Sequence, residues 1–466
     1  MVEIPDYFRP LGSTGMYCHP LGFGCYRIAD GNPEHEAALR SYLDQGGNLI
    51  DTSTNYVDGL SEILVGKVVR DYPREQVIVV TKAGYIQGQI MELARSRAFP
   101  EVVQYDEGIW HCIHPEFLET QIELSRERLQ RDVLDVLLLH NPEYFLIHQS
   151  HHKAVDASDQ VEFYQKIRET FRFLEEKVRQ GQIRWYGISS NNYGLPLADP
   201  TMTSVSRCLF EAEALSSDHH FKVVQLPLNL AENGGALEPN NDGSTVLEFC
   251  QQHGLAVMAN RPLNISCNGR FIRLADFAPP GRKPPGKKSL LELLEPLRQH
   301  EKIGTEMGIS SSDGRSAGLP QMLEQIVSQA KSVEHWNLLM GRYVIPPLKR
   351  WITDSSQRNS DNVLWQQWLD KFFHLISTTF EATERFIQSR QQPGSDRVRN
   401  HLSEGGYPQT PHSLSQIALG ILLNLQGLSC VLNGMRRPSY VADAFGSRYT
   451  PRVDALKTLG HFKSFT

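Results

Sequence analysis

Eight short runs of apolar, largely β-branched residues punctuate the chain, at positions 20–24, 48–51, 77–82, 133–140, 183–190, 223–228, 255–260 and 430–433. They are nearly continuous rather than alternating. A strand of that kind must be covered on both faces, which is the condition of a parallel sheet. Helical periodicity fills the intervals at 33–45, 61–71, 115–131 and 163–180. In the last of these Ile167, Phe171, Leu174 and Val178 share one face, and Gly181 stands at the C-terminal cap position. Eight strands alternating with helices predict an α/β chain folded as a (β/α)8 TIM barrel.

One stretch breaks the alternation. About 150 residues separate Asn260 from Ser413, far beyond a normal loop. They begin with a Pro/Gly/Lys linker at 278–288 and continue with helical patterns at 288–300, 319–340 and 363–387; 392–409 reads as loop. The expected organisation is a barrel made of 1–264 and 411–466, with 265–410 as an inserted, mostly helical subdomain near the catalytic rim. The aromatic stripe Trp365, Trp368, Phe372 and Phe373 reads as packing inside that insert.

Charge and cysteine usage limit the functional classes. The 466 residues carry a formal net charge of −6, which argues against a protein that coats nucleic acid. No apolar run is long enough for a membrane helix, and residues 1–10 lack the apolar core of a signal peptide. Seven cysteines are scattered without a CxxC pair, so a reducing, cytoplasmic location is expected. His111, Cys112 and His114 fit no usual zinc spacing, and no metal is expected.

In such a barrel, reactive side chains stand at the C-terminal ends of strands. Here those ends read Asp51, Lys82 and His140, and Tyr56 follows five residues after Asp51. An acid, an amine, an imidazole and a phenol thus converge on one rim. Charges at the ends of buried strands are costly unless paired, and Asp51 can pair with Lys82. A cation beside the phenol is expected to lower its pKa, and His140 to polarise a carbonyl. Such a set gives a proton to oxygen while hydride reaches the adjacent carbon, so a nicotinamide or flavin is implied.

These residues carry a resemblance. The stretch Asp51-Thr52-Ser53-Thr54-Asn55-Tyr56, followed by Gly59, Ser61-Glu62 and Leu64-Val65-Gly66, is similar to the signature of the aldo/keto reductase family. Thr81-Lys82, Leu137 to His140, Gly187 to Asn191, Leu21 to Gly24 and Val431 to Phe445 resemble further family segments in the family's order, across 11–264 and 411–446. The resemblance implies Tyr56 as general acid, Lys82 and Asp51 as its tuning pair, and His140 as the group that orients the carbonyl. It implies Ser189, Asn191 and Gln225 at the nicotinamide amide, and Gly24, Leu263 and Asp443 elsewhere along the cofactor. Gly434, Arg436 and Arg437 would receive an adenosine 2′-phosphate, which favours NADP (NADPH) over NAD. Asn260 occupies the position where the family usually stacks a flat side chain, and the usual Glu–Asn pair near the adenine reads Asp443-Ala444.

The reading is an NADPH-dependent reductase of a small-molecule aldehyde or ketone, without nucleic-acid or membrane partners. Two alternatives stay open. One is a cofactor-binding regulatory or redox-sensing subunit whose insert docks a partner protein. The other is a NAD-dependent sugar or polyol dehydrogenase. Individual residues also have plainer readings: Ser189 to Asn191 as a helix cap, Arg436-Arg437 as a solvated helix start, Gln225 as a satisfied core amide. The insert is expected to roof or narrow the substrate pocket.

Overall fold

The computed structural model describes residues 5–267, 270–277, 287–306, 318–359 and 361–465. Eight parallel strands close a barrel: β1 (Leu21–Gly24), β2 (Leu49–Asp51), β3 (Ile78–Ala83), β4 (Leu134–His140), β5 (Ile183–Ser189), β6 (Phe221–Pro227), β7 (Ala256–Asn260) and β8 (Cys430–Gly434). Each pairs with its neighbours in chain order, and β8 closes onto β1. Each strand is followed by a helix: α1 (Pro33–Asp44), α2 (Leu60–Val69), α3 (Pro115–Leu129), α4 (Ala157–Arg179), α5 (Val205–Glu213), α6 (Val246–Gln252), α7 (Leu414–Leu423) and α8 (Pro438–Gly446). The eight runs read from the sequence are these eight strands, within a few residues at each end. β3 and β4 are buried at every position, as continuous apolar runs require.

Local chemistry sets the helix starts. Asn32 caps α1 by accepting from Glu34 and His35 backbone N–H. Reciprocal capping boxes begin α4 (Asp156 with Asp159), α6 (Thr245 with Glu248) and α7 (Ser413 with Gln416). The N-terminal hairpin, Arg9–Pro10 paired with Tyr17–Cys18, plugs the end of the barrel remote from the strand C-termini. Leu11 and Cys18 join Leu49, Ile78, Val136, Val223 and Ala256 in one buried cluster there. Gly12, at φ +56°, lies so close to Ala256 that a Cβ would sit 2.5 Å from its backbone nitrogen.

The chain divides into two compact units, Met1–Leu274 with His401–Thr466, and Ala275–Asn400. The first holds the barrel and the antiparallel hairpin Asn264–Cys267/Arg270–Arg273. The second is entered after β7 and left before α7. Its described helices are Lys287–Glu306, Leu319–Gln329, Val333–Leu339, Ile345–Arg358 and most of Val363–Glu404. They close over a core of their own, built on Leu294, Leu323, Trp336, Trp351, Trp365, Trp368 and Phe372. Phe373 is exposed and stands outside it. The greater part of the linker, 278–286, falls outside the described residues.

Two expectations for the insert need correction. The 319–340 pattern is two helices, because Ala330 turns to an extended conformation and Ser332 caps a new start. The 392–409 stretch is not a loop up to Glu404: the helix runs through Pro393. Tertiary bonds offset what proline removes. Gln392 accepts from Phe277 N–H at 2.8 Å, Ser395 donates to the Ala275 carbonyl at 2.6 Å, and Arg399 pairs with Asp276.

Candidate active site

Strand register lays out the rim before any side chain is considered. Gly434 pairs with Gly24, and Gly24 with Asp51; His140 pairs with Ser189, and Ser189 with Gln225. Gly434, Gly24 and Asp51 therefore stand in register across β8, β1 and β2, and His140, Ser189 and Gln225 in register across β4, β5 and β6. The Gly434–Gly24 pair leaves bare backbone there, and a Cβ on Gly24 would meet the Asn433 carbonyl at 3.4 Å.

The loop after β2 brings Tyr56 over β3. Thr52 N–H donates to Val80 at 2.8 Å and Thr54 N–H to Lys82 at 3.1 Å. Val57 and Asp58 then take left-handed backbone angles (φ +46° and +57°), followed by Gly59 at +87°. A β-branched residue pays for that conformation, and it reverses the chain immediately after the phenol. Gly59 also leaves room for Arg128, whose Cζ would lie 2.5 Å from a Cβ there.

Lys82 is fully buried and satisfies all three of its N–H bonds. Nζ donates to Asp51 Oδ2 at 2.7 Å, the Thr52 carbonyl at 2.9 Å and Tyr56 Oη at 3.0 Å. The other Asp51 oxygen accepts from Gln225 Nε2 at 2.7 Å. Gln225 Oε1 in turn accepts from Ser189 Oγ at 3.0 Å and Asn260 Nδ2 at 3.2 Å. On the other side, Ser53 Oγ lies 3.0 Å from His140 Nδ1, and the Tyr56 and His140 rings meet edge-on at 5.9 Å. Tyr85 packs edge-on against His140 at 4.7 Å, and His111 Nε2 donates to the His140 carbonyl at 2.7 Å.

The four rim residues thus form one site. The network extends through Gln225 to Ser189 and Asn260, and through Ser53 to His140. Ser53, Tyr85 and His111 were not singled out for this role by the sequence. The contribution of Tyr85 and His111 depends on a three-stranded sheet (Tyr85–Ile86, Ile109–His111, Val103–Asp106) inserted after β3, whose pairing has no local sequence marker.

Electrostatics corrects one expectation. Burial, reinforced by Asp51, pushes the Tyr56 phenol well above its usual range, rather than Lys82 drawing it down. Burial likewise lowers Lys82. Burial, aided by Lys82 and His111, holds His140 well below its usual value, so the imidazole is neutral.

The expected cofactor residues divide. A cavity of about 500 Å³ is lined by Tyr26, Arg27, Asn55, Val57, Gln87 and Arg436. It runs from the residues flanking Tyr56 to a guanidinium beyond β8, and Gly24 and Gly434 end the two strands between. Arg437 points elsewhere, pairing with Glu34 at 3.4 Å. Asp443 has both oxygens engaged by the Ser413 and Ser415 hydroxyls, so it joins α8 to the start of α7. Asn191 is exposed, with its Oδ1 3.3 Å from Arg261, and Leu263 is half-buried.

Buried charge flanks the site. Glu143 is 1 % exposed; Oε1 accepts from Asn191 N–H at 2.7 Å, and Oε2 has no hydrogen-bond partner. Burial pushes its carboxyl up to about 7.

A closed parallel barrel carries at its C-terminal rim a cluster of buried Lys82, Asp51 and His140 with half-buried Tyr56, an arrangement that can serve an oxidoreductase. The profile of the Aldo/keto reductase family matches residues 20–311. This chain belongs to that family and is an NAD(P)-dependent oxidoreductase. It is 28% identical over 308 residues to the NADH-specific methylglyoxal reductase of Escherichia coli K12, covering 63% of this chain and 79% of the relative. It is 28% identical over 200 residues to the 6-dehydroglucose reductase of Novosphingobium aromaticivorans (41% of this chain, 53% of the relative). To the L-galactose dehydrogenase of Arabidopsis thaliana it is 29% identical over 196 residues (41% and 49%). The chain thus spans about half the length of these last two relatives. The glycerol dehydrogenase of Gluconobacter oxydans superposes with a TM-score of 0.50 at 16% identity, covering 98% of this chain and 95% of that one, which shows the shared fold. No described helix is long and apolar enough to cross a membrane.

Proposed function

We propose that the protein reduces a small aldehyde or ketone to the alcohol, with NADPH as cofactor and Tyr56 as proton donor. The observation that carries the reading is the Lys82 ammonium, which holds Asp51 and the Tyr56 hydroxyl at once. A nicotinamide fits the residues present. The cavity beside Tyr56 ends on Arg436, and the glycine pair at the ends of β1 and β8 leaves backbone open to a flat group. When bound, the cofactor supplies the hydride.

The chain's own residues do the rest. Neutral His140 offers a ring nitrogen to the carbonyl oxygen and fixes its direction. Tyr56, whose phenol stays protonated through burial, releases its proton to that oxygen as charge develops there. Lys82 stabilises the phenolate left behind through the bond it already makes to Oη. Asp51 holds the ammonium, and Gln225 holds Asp51. No group must reorganise during the step, which is where a preorganised site gains most of its rate. Arg436 is the residue assigned to the 2′-phosphate; Arg437, paired with Glu34, is left a lesser role. Similarity to reductases of methylglyoxal and 6-dehydroglucose supports a small polar carbonyl as substrate. Among the described residues six cysteines are free and buried, which supports a reducing, cytoplasmic compartment.

Nicotinamide absorbance against a panel of aldehydes, ketones and sugars tests this. Tyr56→Phe should keep NADPH binding and lose about 10²-fold or more in turnover; near-normal turnover would refute the donor assignment. Arg436→Ala should raise KM for NADPH about tenfold and leave KM for NADH nearly unchanged. An equal rise for both cofactors would remove the phosphate role.

A further inference from the structure

We infer that Glu143 is a positioning residue for the cofactor, holding the segment 189–191 where it meets the nicotinamide amide. The inference rests on the reading that sets the amide against that segment. Glu143 stands three residues after His140, in the loop that leaves β4. Asn141 N–H donates to the Ser189 carbonyl at 2.7 Å, and Ser190 N–H to the Gln225 carbonyl at 3.0 Å. The strand ladder ends there. The next N–H along the chain, that of Asn191, donates to Glu143 Oε1 at 2.7 Å. Successive backbone groups of the segment are thus held, the last of them by a side chain.

Glu143 does no local work that would explain it. It stands at the N-terminal cap of the short helix Tyr144–Ser150 and makes no side-chain capping bond there. It is buried, and its second oxygen has no hydrogen-bond partner. A buried carboxylate is a costly way to satisfy one N–H. What it supplies is a charge-assisted grip at one point. That point joins the loop of His140 to the loop of Ser189. His140 directs the substrate oxygen, and Ser189, whose Oγ donates to Gln225 Oε1 at 3.0 Å, stands on the cofactor side. Fixing one loop to the other sets the carbonyl against the nicotinamide, and the ordering is done before the cofactor arrives.

The charged and titratable groups that act on Glu143 include the Arg261 guanidinium after β7, the Tyr85, Tyr144 and Tyr193 phenols, and the Cys208 thiol on α5. Burial pushes the three phenols and the thiol upward. Burial holds His140, three residues before, in its neutral form. Glu143 itself is carried by burial up to about 7, against the hydrogen bond from Asn191 that draws it down. Its grip on the Asn191 N–H therefore strengthens as the pH rises through neutrality, because an ionised acceptor binds the N–H more tightly than a neutral one.

The test compares two ligands on the full chain by calorimetry: NADPH, and adenosine 2′,5′-bisphosphate, which is one end of that cofactor without the nicotinamide. Glu143→Met, of similar volume and without an acceptor, should weaken NADPH about tenfold at pH 8 and leave the bisphosphate unchanged. Loss of general packing would weaken both ligands alike. Glu143→Gln, which keeps an acceptor for the Asn191 N–H, should match the parent at pH 6. From pH 6 to pH 8 the NADPH affinity of the parent, divided by its bisphosphate affinity, should rise, and in Glu143→Gln it should stay level. The division cancels the titration of the phosphate. Equal weakening of both ligands in Glu143→Met, or NADPH affinity unchanged there, would overturn the proposal. If Glu143→Met does not fold, the pH comparison decides, and identical profiles for the parent and Glu143→Gln would overturn it. Failure of the 2′-phosphate reading looks different: NADH binds, the bisphosphate does not, and the same comparison is then read on NADH against ADP-ribose.

Discussion

Single residues here are held by more than one partner, and the cost of changing them follows from what is left behind. Lys82, with three acceptors and no exposure, depends on both Asp51 and Tyr56. Removing either carboxylate or phenol leaves an ammonium partly unpaired in a dry site. Glu143 has the opposite problem, a carboxylate with one oxygen unpartnered. Its carboxyl titrates near 7 in the fold, above the ordinary value of 4.5. The folded state therefore holds a proton between pH 4.5 and 7 that the unfolded chain has lost. Stability from this group is present below pH 4.5 and disappears as the pH rises to about 7, a loss of at most about 3 kcal/mol. Glu143→Gln keeps an acceptor for Asn191 N–H and removes the titration. Urea unfolding at pH 5 and pH 8 should show the variant gaining on the parent at pH 8 by up to that amount. His111, held down to about 4 by burial, acts with the other sign, losing stability as the pH falls below 6.5. It is common to both proteins and cancels in the difference.

At the scale of elements, the site depends on how closely helices approach the barrel. Gly66 on α2 faces α3, and a Cβ there would lie 2.4 Å from the Arg128 carbonyl oxygen. That neighbour is backbone and cannot turn aside. Gly66→Ala should cost about 1–3 kcal/mol by urea denaturation, although the substitution improves helix propensity. A neutral or stabilising result would mean that α2 and α3 separate more easily than their packing implies. The same contact holds Arg128, which reaches Glu62 at 3.3 Å and the Thr54 carbonyl at 3.4 Å. Arg128 thereby ties the α2–α3 pair to the loop that carries Tyr56. Strand ends were legible in advance, since a charged or polar residue closing a buried apolar run has few other uses. The Val363–Glu404 helix was read too short, because proline and glycine at 393–394 mark a stop locally. The bonds that override them come from residues more than a hundred positions away in sequence.

For the whole molecule, two units with separate cores should lose structure separately. Trp368 lies at the centre of the second, stacked on His300 at 4.9 Å and donating to the His300 carbonyl at 3.1 Å. Gly304 packs against its ring. Trp368→Ala should cost the second unit about 3–5 kcal/mol, seen in calorimetry as one transition moved to lower temperature and the barrel transition unmoved. A single transition shifted as a whole would mean that the two units unfold together.

The order of strands and helices, the continuous apolar runs and the four rim residues are local properties, and periodicity with strand-end chemistry was enough to read them. The partners of those residues were not local. Gln225 bound to Asp51, Ser53 beside His140, Asp443 turned to Ser413 and Ser415, and Arg436 parted from Arg437 all depend on which atoms meet across the barrel. Hydrogen-bond satisfaction and burial are decided only when the chain has closed. For the same reason the raised phenol of Tyr56 appeared only with the structure: charge pairing is visible in a sequence, and loss of water is not.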